Sequence, residues 1–240
     1  MTRRKVIALL LAGGRGCRIH SERPKQFMEV AGMPVIAYAM RTFQQHASVD
    51  AVYVVCAAEW EHFVRETARA AGVDKFAGTF PAGATSLQSL RHGVEGLRAI
   101  YGRSNPVVLT HEAVRPLLSA EMVSRNLHTC SVYGNAITAV QSNEAYMMSD
   151  DGVSSRNCFP RERLYRAQTP QTFGLDTLME AFRQGDLLGV RHSQSLYTFI
   201  STVLPGYALY IAPGSESNFK LTFPEDFDTF AAILAYRARR

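Results

Sequence analysis

Lysine is scarce in this chain: Lys5, Lys25, Lys75 and Lys220 are the only four in 240 residues. No dense basic run occurs, and a net charge of +5 suits anionic small ligands better than nucleic acid. The four cysteines, Cys17, Cys56, Cys130 and Cys158, are too widely spaced for a zinc site. No apolar stretch approaches the roughly 20 residues of a membrane helix. Arg3-Arg4-Lys5 leads into an apolar run too short for a signal peptide with a cleavage site. Together these absences predict a reduced, cytoplasmic protein with no membrane and no nucleic-acid partner. Repeats, linkers and low-complexity segments are also missing, so residues 1–240 are expected to form one domain. No convincing Ser-His-Asp or Cys-His arrangement suggests a nucleophilic enzyme.

The most informative stretch runs from Val6 to Phe27. Val6 to Leu11 is an unbroken apolar run, as for a strand buried on both faces. It ends in Ala12-Gly13-Gly14-Arg15-Gly16, where glycines let backbone N–H groups approach a ligand. Arg18 and Lys25 add two cations, which completes the outline of a polyphosphate cradle. A Walker loop is excluded because Cys17-Arg18, not Lys-Ser/Thr, follows Gly16. A dinucleotide-dependent oxidoreductase is compatible with the early β-α-β pattern but disfavoured by the glycine spacing.

Downstream, apolar strands alternate with amphipathic helices. Helices are expected at Pro34–Phe43, Glu59–Ala71, Ser86–Ile100, Ala120–Cys130, Leu175–Arg183 and Pro224–Arg237. Strands are expected at Ala51–Cys56, Pro106–Thr110, Ala136–Val140 and Tyr207–Ile211. The alternation predicts an α/β fold: a Rossmann-like, three-layer, doubly wound and mostly parallel sheet. The rhythm breaks at about 141–166, where Asp150-Asp151-Gly152 reads as the turn of a protruding β-hairpin arm suited to packing on a second subunit.

Three further stretches could carry chemistry. Thr110-His111-Glu112-Ala113-Val114-Arg115-Pro116 follows a buried strand, where open α/β sheets bind ligands. Glu112 is placed to hold a divalent ion and Arg115 an anion. Arg161 to Phe173 concentrates three arginines before a Gln-Thr-Pro-Gln turn, as a phosphate-bearing acceptor would need. Gly214 to Thr222 ends in a strand-like run with Lys220 before the acidic start of the last helix.

In combination, A-G-G-R-G-C-R, P-K-Q-F, H-E-A-V-R-P, A-Q-T-P-Q-T-F and N-F-K-L-T-F-P-E-D resemble the cytidylyltransferases that join CTP to a polyol phosphate. These include the 2-C-methylerythritol 4-phosphate enzymes of isoprenoid synthesis and the ribitol 5-phosphate enzymes of wall and capsule synthesis. The resemblance implies a Mg²⁺-assisted attack of the acceptor phosphate on the α-phosphate of CTP, with pyrophosphate released. It implies that Ala12, Gly13, Gly14, Gly16, Arg18 and Lys25 bind the CTP phosphates, that Gly83 and Ser89 belong to the segment reading cytosine, and that Glu112 stands where a metal-associated aspartate is usual. It further implies that Arg115, Arg161, Thr169 and Lys220 surround the acceptor and the reacting phosphates, with Arg18, Lys25 and Lys220 catalytic. A homodimer sharing sites through the arm is also implied. Valine at 114 and the run Gly214-Ser215-Glu216-Ser217-Asn218 favour D-ribitol 5-phosphate as acceptor, with 2-C-methyl-D-erythritol 4-phosphate as the alternative. The sequence departs from the family pattern at Glu112, Ala84, Ser86, Ser142-Asn143 and His192-Ser193, so a catalytically weak nucleotide-binding homologue is a further reading.

Overall fold

The computed structural model describes residues 3–14 and 23–239. The first strand, β1 (Val6–Leu11), is an interior strand of a seven-stranded sheet. Its alternate side chains enter two separate cores, which explains why the run is apolar without a break. Val6, Ala8 and Leu10 pack with α1 (Val35–Gln45), α2 (Glu61–Ala70) and α4 (Ala120–Tyr133). Ile7 and Leu9 face α3 (Ser86–Tyr101), α5 (Leu175–Leu187) and α6 (Leu196–Val203). The result is the three-layer α/β architecture expected.

On one side of β1 lie β4 (Ala51–Cys56) and β5 (Phe76–Pro81); on the other lie β6 (Val107–Glu112), β10 (Tyr165–Gly174), β7 (Asn135–Gln141) and β11 (Ile211–Pro213). Two short pairs stand outside this sheet: β2 (Glu29–Val30) with β3 (Met33–Pro34), and β8 (Met147–Met148) with β9 (Asn157–Cys158). Every neighbouring pair in the main sheet is parallel except those made by β10, which runs against both β6 and β7. The start of β10 therefore lies at the end of β6. The strand order reverses between β1 and β6, the kind of crevice where open α/β sheets take ligands.

The last helix, α7 (Pro224–Ala238), packs through Phe230 onto Val30, Val35, Val114 and Leu221. This cluster ties the Lys220 loop to the segment after β6. Leu221 N–H also donates to the Val114 carbonyl at 2.9 Å.

The sequence reading needs four corrections. The strand expected at Pro106–Thr110 continues to Glu112, so that residue ends the strand instead of following it. The strand expected at Tyr207–Ile211 forms at Ile211–Pro213; before it, the Asn135 side chain engages Ala208 O and Tyr210 N. The run before Lys220 is not a strand. The Gln-Thr-Pro-Gln turn is part of β10, a strand hydrogen-bonded on both sides. The arm is a hairpin as expected. Its strands are only two residues each, and Asp151 closes the turn by accepting the N–H groups of Val153 and Ser154.

Candidate active site

A cavity of about 720 Å³ opens at the carboxyl end of β6. Among the described residues, Glu112, Arg115, Arg166 and Lys220 are the charged ones of its wall, and Leu11, Ser86, Leu87, Thr169 and Tyr197 also line it. The arm contributes Tyr146, Met147, Met148 and Phe159.

Glu112 is the hub. Lys220 donates to one carboxylate oxygen, and Arg115 Nε donates to the other at 2.7 Å. Burial pushes this carboxyl up, but the charges of Lys220 and Arg115 outweigh it and hold it at about 2. Arg115 is fixed in turn by Nη1 donating to Asn218 O at 2.8 Å. Lys220 thus turns to Glu112, not to the acidic start of α7. There Asp226 instead accepts the N–H groups of Thr222 and Phe223, at 2.6 and 2.8 Å.

Thr169 enters the cavity from an irregularity in β10. Between Ala167 and Gln171 the register against β7 shifts, and residues 168–170 leave the ladder. Their carbonyls would be orphaned inside the protein. Three side-chain amides serve them: Gln171 donates to Gln168 O, Asn218 to Thr169 O, and Asn126 to Pro170 O, at 3.1, 2.8 and 2.9 Å. Asn126 on α4 is completely buried and also bonds Thr138 and Thr172. Gln171 accepts the N–H of Tyr197, joining the bulge to the first turn of α6.

The side expected to take the nucleotide is built largely from main chain. Gln26 is buried and donates to Ala12 O and Gly14 O, at 2.6 and 2.8 Å, stapling the glycine turn. A methyl group on Gly13 would stand 2.7 Å from Ala82 Cβ and 3.1 Å from Ser89 Oγ, so the turn lies directly against the segment at 82–89. Within that segment Ser89 Oγ accepts the Gly83 N–H at 3.0 Å, and a methyl on Gly83 would collide with Gln88 at 2.4 Å. Ser89 and Gly83 therefore brace the loop and are not on the cavity wall. Thr85 caps α3, whose first residues Ser86 and Leu87 face the cavity. Lys25 begins a short helical turn directly before Gln26. Gly16 and Arg18 lie outside the described residues.

The structure thus brings Glu112, Arg115, Thr169 and Lys220 together. It leaves Arg161 out on the arm, near Glu162 at 3.6 Å and largely exposed. Of the departures, Ser142 and Ser193 reach the cavity, while Asn143 and His192 do not line it. Arg166, which lines the cavity and pairs with Glu216, was visible in the sequence only as one of three arginines. Gln26, Gln171 and Asn218 stood in the quoted motifs without a role of their own, and Asn126 gave no sequence signal beyond being polar.

Among the described residues no group of three His, Cys, Asp or Glu could hold a metal ion unaided. A single ionised carboxylate fits a Mg²⁺ whose other ligands are substrate phosphates and water. Both Glu112 oxygens keep a free lone pair after the bonds to Lys220 and Arg115. Among the described residues no helix is long and apolar enough to cross a membrane.

A family model described as 2-C-methyl-D-erythritol 4-phosphate cytidylyltransferase, IspD, matches residues 6–236. The chain is 31% identical over 229 residues to the ribitol-5-phosphate cytidylyltransferase of Lacticaseibacillus paracasei, covering 95% of this chain and 97% of that one. It is 32% identical over 242 residues to the 2-C-methyl-D-erythritol 4-phosphate cytidylyltransferase of Pelotomaculum thermopropionicum, covering 98% and 97%. A solved 4-diphosphocytidyl-2C-methyl-D-erythritol synthase from Anaerococcus prevotii shares the fold, with a TM-score of 0.81 at 22% identity over 97% of this chain and 96% of that one.

Proposed function

The chain belongs to the 2-C-methyl-D-erythritol 4-phosphate cytidylyltransferase family, and from that premise we propose that it transfers a cytidylyl group from CTP to D-ribitol 5-phosphate. The broader activity, CTP-dependent transfer to a polyol phosphate, follows from the family. The observation that carries the reading is Glu112 held between Lys220 and Arg115 at the strand end that opens into the cavity.

A phosphate monoester is largely dianionic at neutral pH, so the nucleophile needs no general base. An acceptor oxygen attacks the α-phosphorus in line, the bond to the bridging oxygen breaks, and pyrophosphate leaves with that electron pair. The barrier is mainly like-charge repulsion and misalignment, which positioned cations lower. Arg18 and Lys25 serve the triphosphate, and Lys220 the charge developing at the α-phosphate. Ala12, Gly13, Gly14 and Gly16 form the turn that receives the triphosphate; the Ala12 N–H is spent on Val55 O at 2.8 Å, so the glycines are left to supply main-chain donors. Arg115 and Thr169 face the acceptor. Mg²⁺ arriving with CTP would be held on the protein by Glu112 and supplies charge neutralisation.

Ribitol 5-phosphate is favoured by Val114 and by the names of relatives such as those at 31% and 30% identity. Val114 is buried under the Lys220 loop, so its size bears on where that lysine sits. The alternative acceptor, 2-C-methyl-D-erythritol 4-phosphate, is favoured by the family model and by the relative at 32%. Pyrophosphate release with CTP and Mg²⁺ is measured against both acceptors. Release with ribitol 5-phosphate alone supports the reading, and release with the erythritol alone replaces it. CTP binding without release from either means a nucleotide-binding homologue with a changed acceptor or lost catalysis. Two chains sharing sites through the arm, in the cytoplasm, complete the proposal. Mixing inactive Arg161→Ala and Lys220→Ala chains should then restore activity, and no recovery would confine each site to one chain.

A further inference from the structure

His111 is completely buried beneath the cavity and does not line it. Its Nε2 lies 3.0 Å from the Arg115 carbonyl oxygen, and its Nδ1 lies 2.9 Å from Thr169 Oγ1. A carbonyl oxygen only accepts. The Nε2 atom must therefore carry the proton, and in a neutral imidazole Nδ1 is then a bare lone pair. The Thr169 hydroxyl must donate to it. That same hydroxyl oxygen accepts the Glu112 N–H at 3.1 Å. The directions are fixed all along the line: Glu112 N–H to Thr169, Thr169 O–H to His111, His111 Nε2–H to the Arg115 carbonyl. One ring thus clamps both ends of the turn that carries Glu112 and Arg115, and locks it to the bulge in β10.

We infer that His111 is a positioning residue for cytidylyl transfer, setting the depth and direction at which Glu112, Arg115 and Thr169 meet the acceptor. The single proton of Thr169 is consumed inside the protein. Towards the cavity, Thr169 can therefore offer only a lone pair, so it suits an acceptor's hydroxyl group and not its phosphate. The inference rests on reading the cavity as a cytidylyl-transfer site. Wild-type pyrophosphate release therefore tests that reading first, and the variants below are compared only with an active wild type.

The test uses His111→Phe, which keeps ring volume against Phe43 at 5.7 Å, Thr169→Val, the double variant, and His111→Asn. The asparagine carries an oxygen close to where Nδ1 stood. Steady-state release with CTP, Mg²⁺ and the acceptor that the wild type uses gives KM for each substrate, and calorimetry gives CTP affinity separately. We expect His111→Phe and Thr169→Val each to lower kcat/KM for the acceptor by roughly 10- to 100-fold, the scale of a broken buried hydrogen bond. CTP affinity should stay within about twofold, on the same scale. The double variant should be no worse than the poorer single one, because both break one chain of bonds. His111→Asn should recover part of the loss. Losses that multiply, an equal loss of CTP affinity, or an unchanged acceptor response would overturn the assignment. If His111→Phe fails to fold, Thr169→Val and His111→Asn decide it by the same acceptor-against-CTP split.

Discussion

The rim made by β6, β10 and the Lys220 loop lines the cavity, and the glycine turn begins directly after Leu11 on its wall; the two are held differently. The turn is local: Ala12, Gly13, Gly14, Lys25 and Gln26 lie within fifteen residues, and the buried Gln26 amide fixes the backbone directly. The rim is assembled from residues near 111, 126, 169 and 218, far apart in the chain, and most of its joints are made by side chains. A main-chain site tolerates side-chain change around it. A side-chain site transmits each change to its neighbours. Of the departures from the family pattern, Glu112 lies on the rim and the others on the loop at 84–86, after β7 at Ser142-Asn143 and before α6 at His192-Ser193, while the glycine turn keeps its pattern.

Separable kinetics would confirm that contrast. Lys25→Ala should lower turnover by at least ~10²-fold, the scale of one strong transition-state contact, with acceptor affinity unchanged. A near-normal rate would remove Lys25 from the mechanism. Asn126→Leu should reduce stability by about 3 kcal/mol, because the Pro170 carbonyl and two threonines lose a buried partner. Denaturant melts check the stability, and KM for the acceptor should rise while that for CTP does not. Gln26→Met should do the reverse, raising KM for CTP by roughly tenfold from two lost hydrogen bonds. If both substrates are affected equally, the two halves are not independent.

The smallest expected effect concerns Glu112. Its carboxyl ionises well below its ordinary value of 4.5, at about 2. A depressed folded value means that its charge stabilises the fold fully above 4.5 and that this contribution drains away as pH falls toward 2. The stability gap between wild type and Glu112→Gln should therefore be widest near neutrality and narrow across that window. A gap independent of pH would mean that the carboxylate is not what Lys220 and Arg115 recognise. The same variant should need more Mg²⁺, and an unchanged Mg²⁺ titration would argue against Glu112 as the metal's protein ligand.

The contrast also explains what could be read from the sequence. Val6–Leu11, the glycine turn and the strand at Ala51–Cys56 announce themselves through short-range pattern. The helices other than α6 do so by spacing, and α3 begins at Ser86 as expected; α6 (Leu196–Val203) was not foreseen. β10 was hidden because Gln168, Thr169, Gln171 and Thr172 look like surface residues. They are buried because distant groups complete their hydrogen bonds: Asn126 for Thr172, Asn218 for the Thr169 carbonyl, His111 for the Thr169 hydroxyl and the Tyr197 N–H for Gln171. No window of neighbouring residues contains that information. β5 was missed for a different cause: it is a partly exposed edge strand broken by Gly78, too weakly patterned to stand out.

The reversed direction of β10 has a consequence for how such an enzyme changes over time. Because β10 runs against β7, the chain leaves the sheet at Gln141 and re-enters beside it at Tyr165, where those two residues are paired. Ser142 N–H donating to Leu164 O closes the gap at 2.8 Å. Everything between is an excursion from a closed doorway. Its length and composition can be rewritten without moving either strand, and its Tyr146, Met147, Met148 and Phe159 line the cavity. The fold thereby gives selection a cassette for reshaping one cavity wall, hinged where exchange leaves the sheet undisturbed.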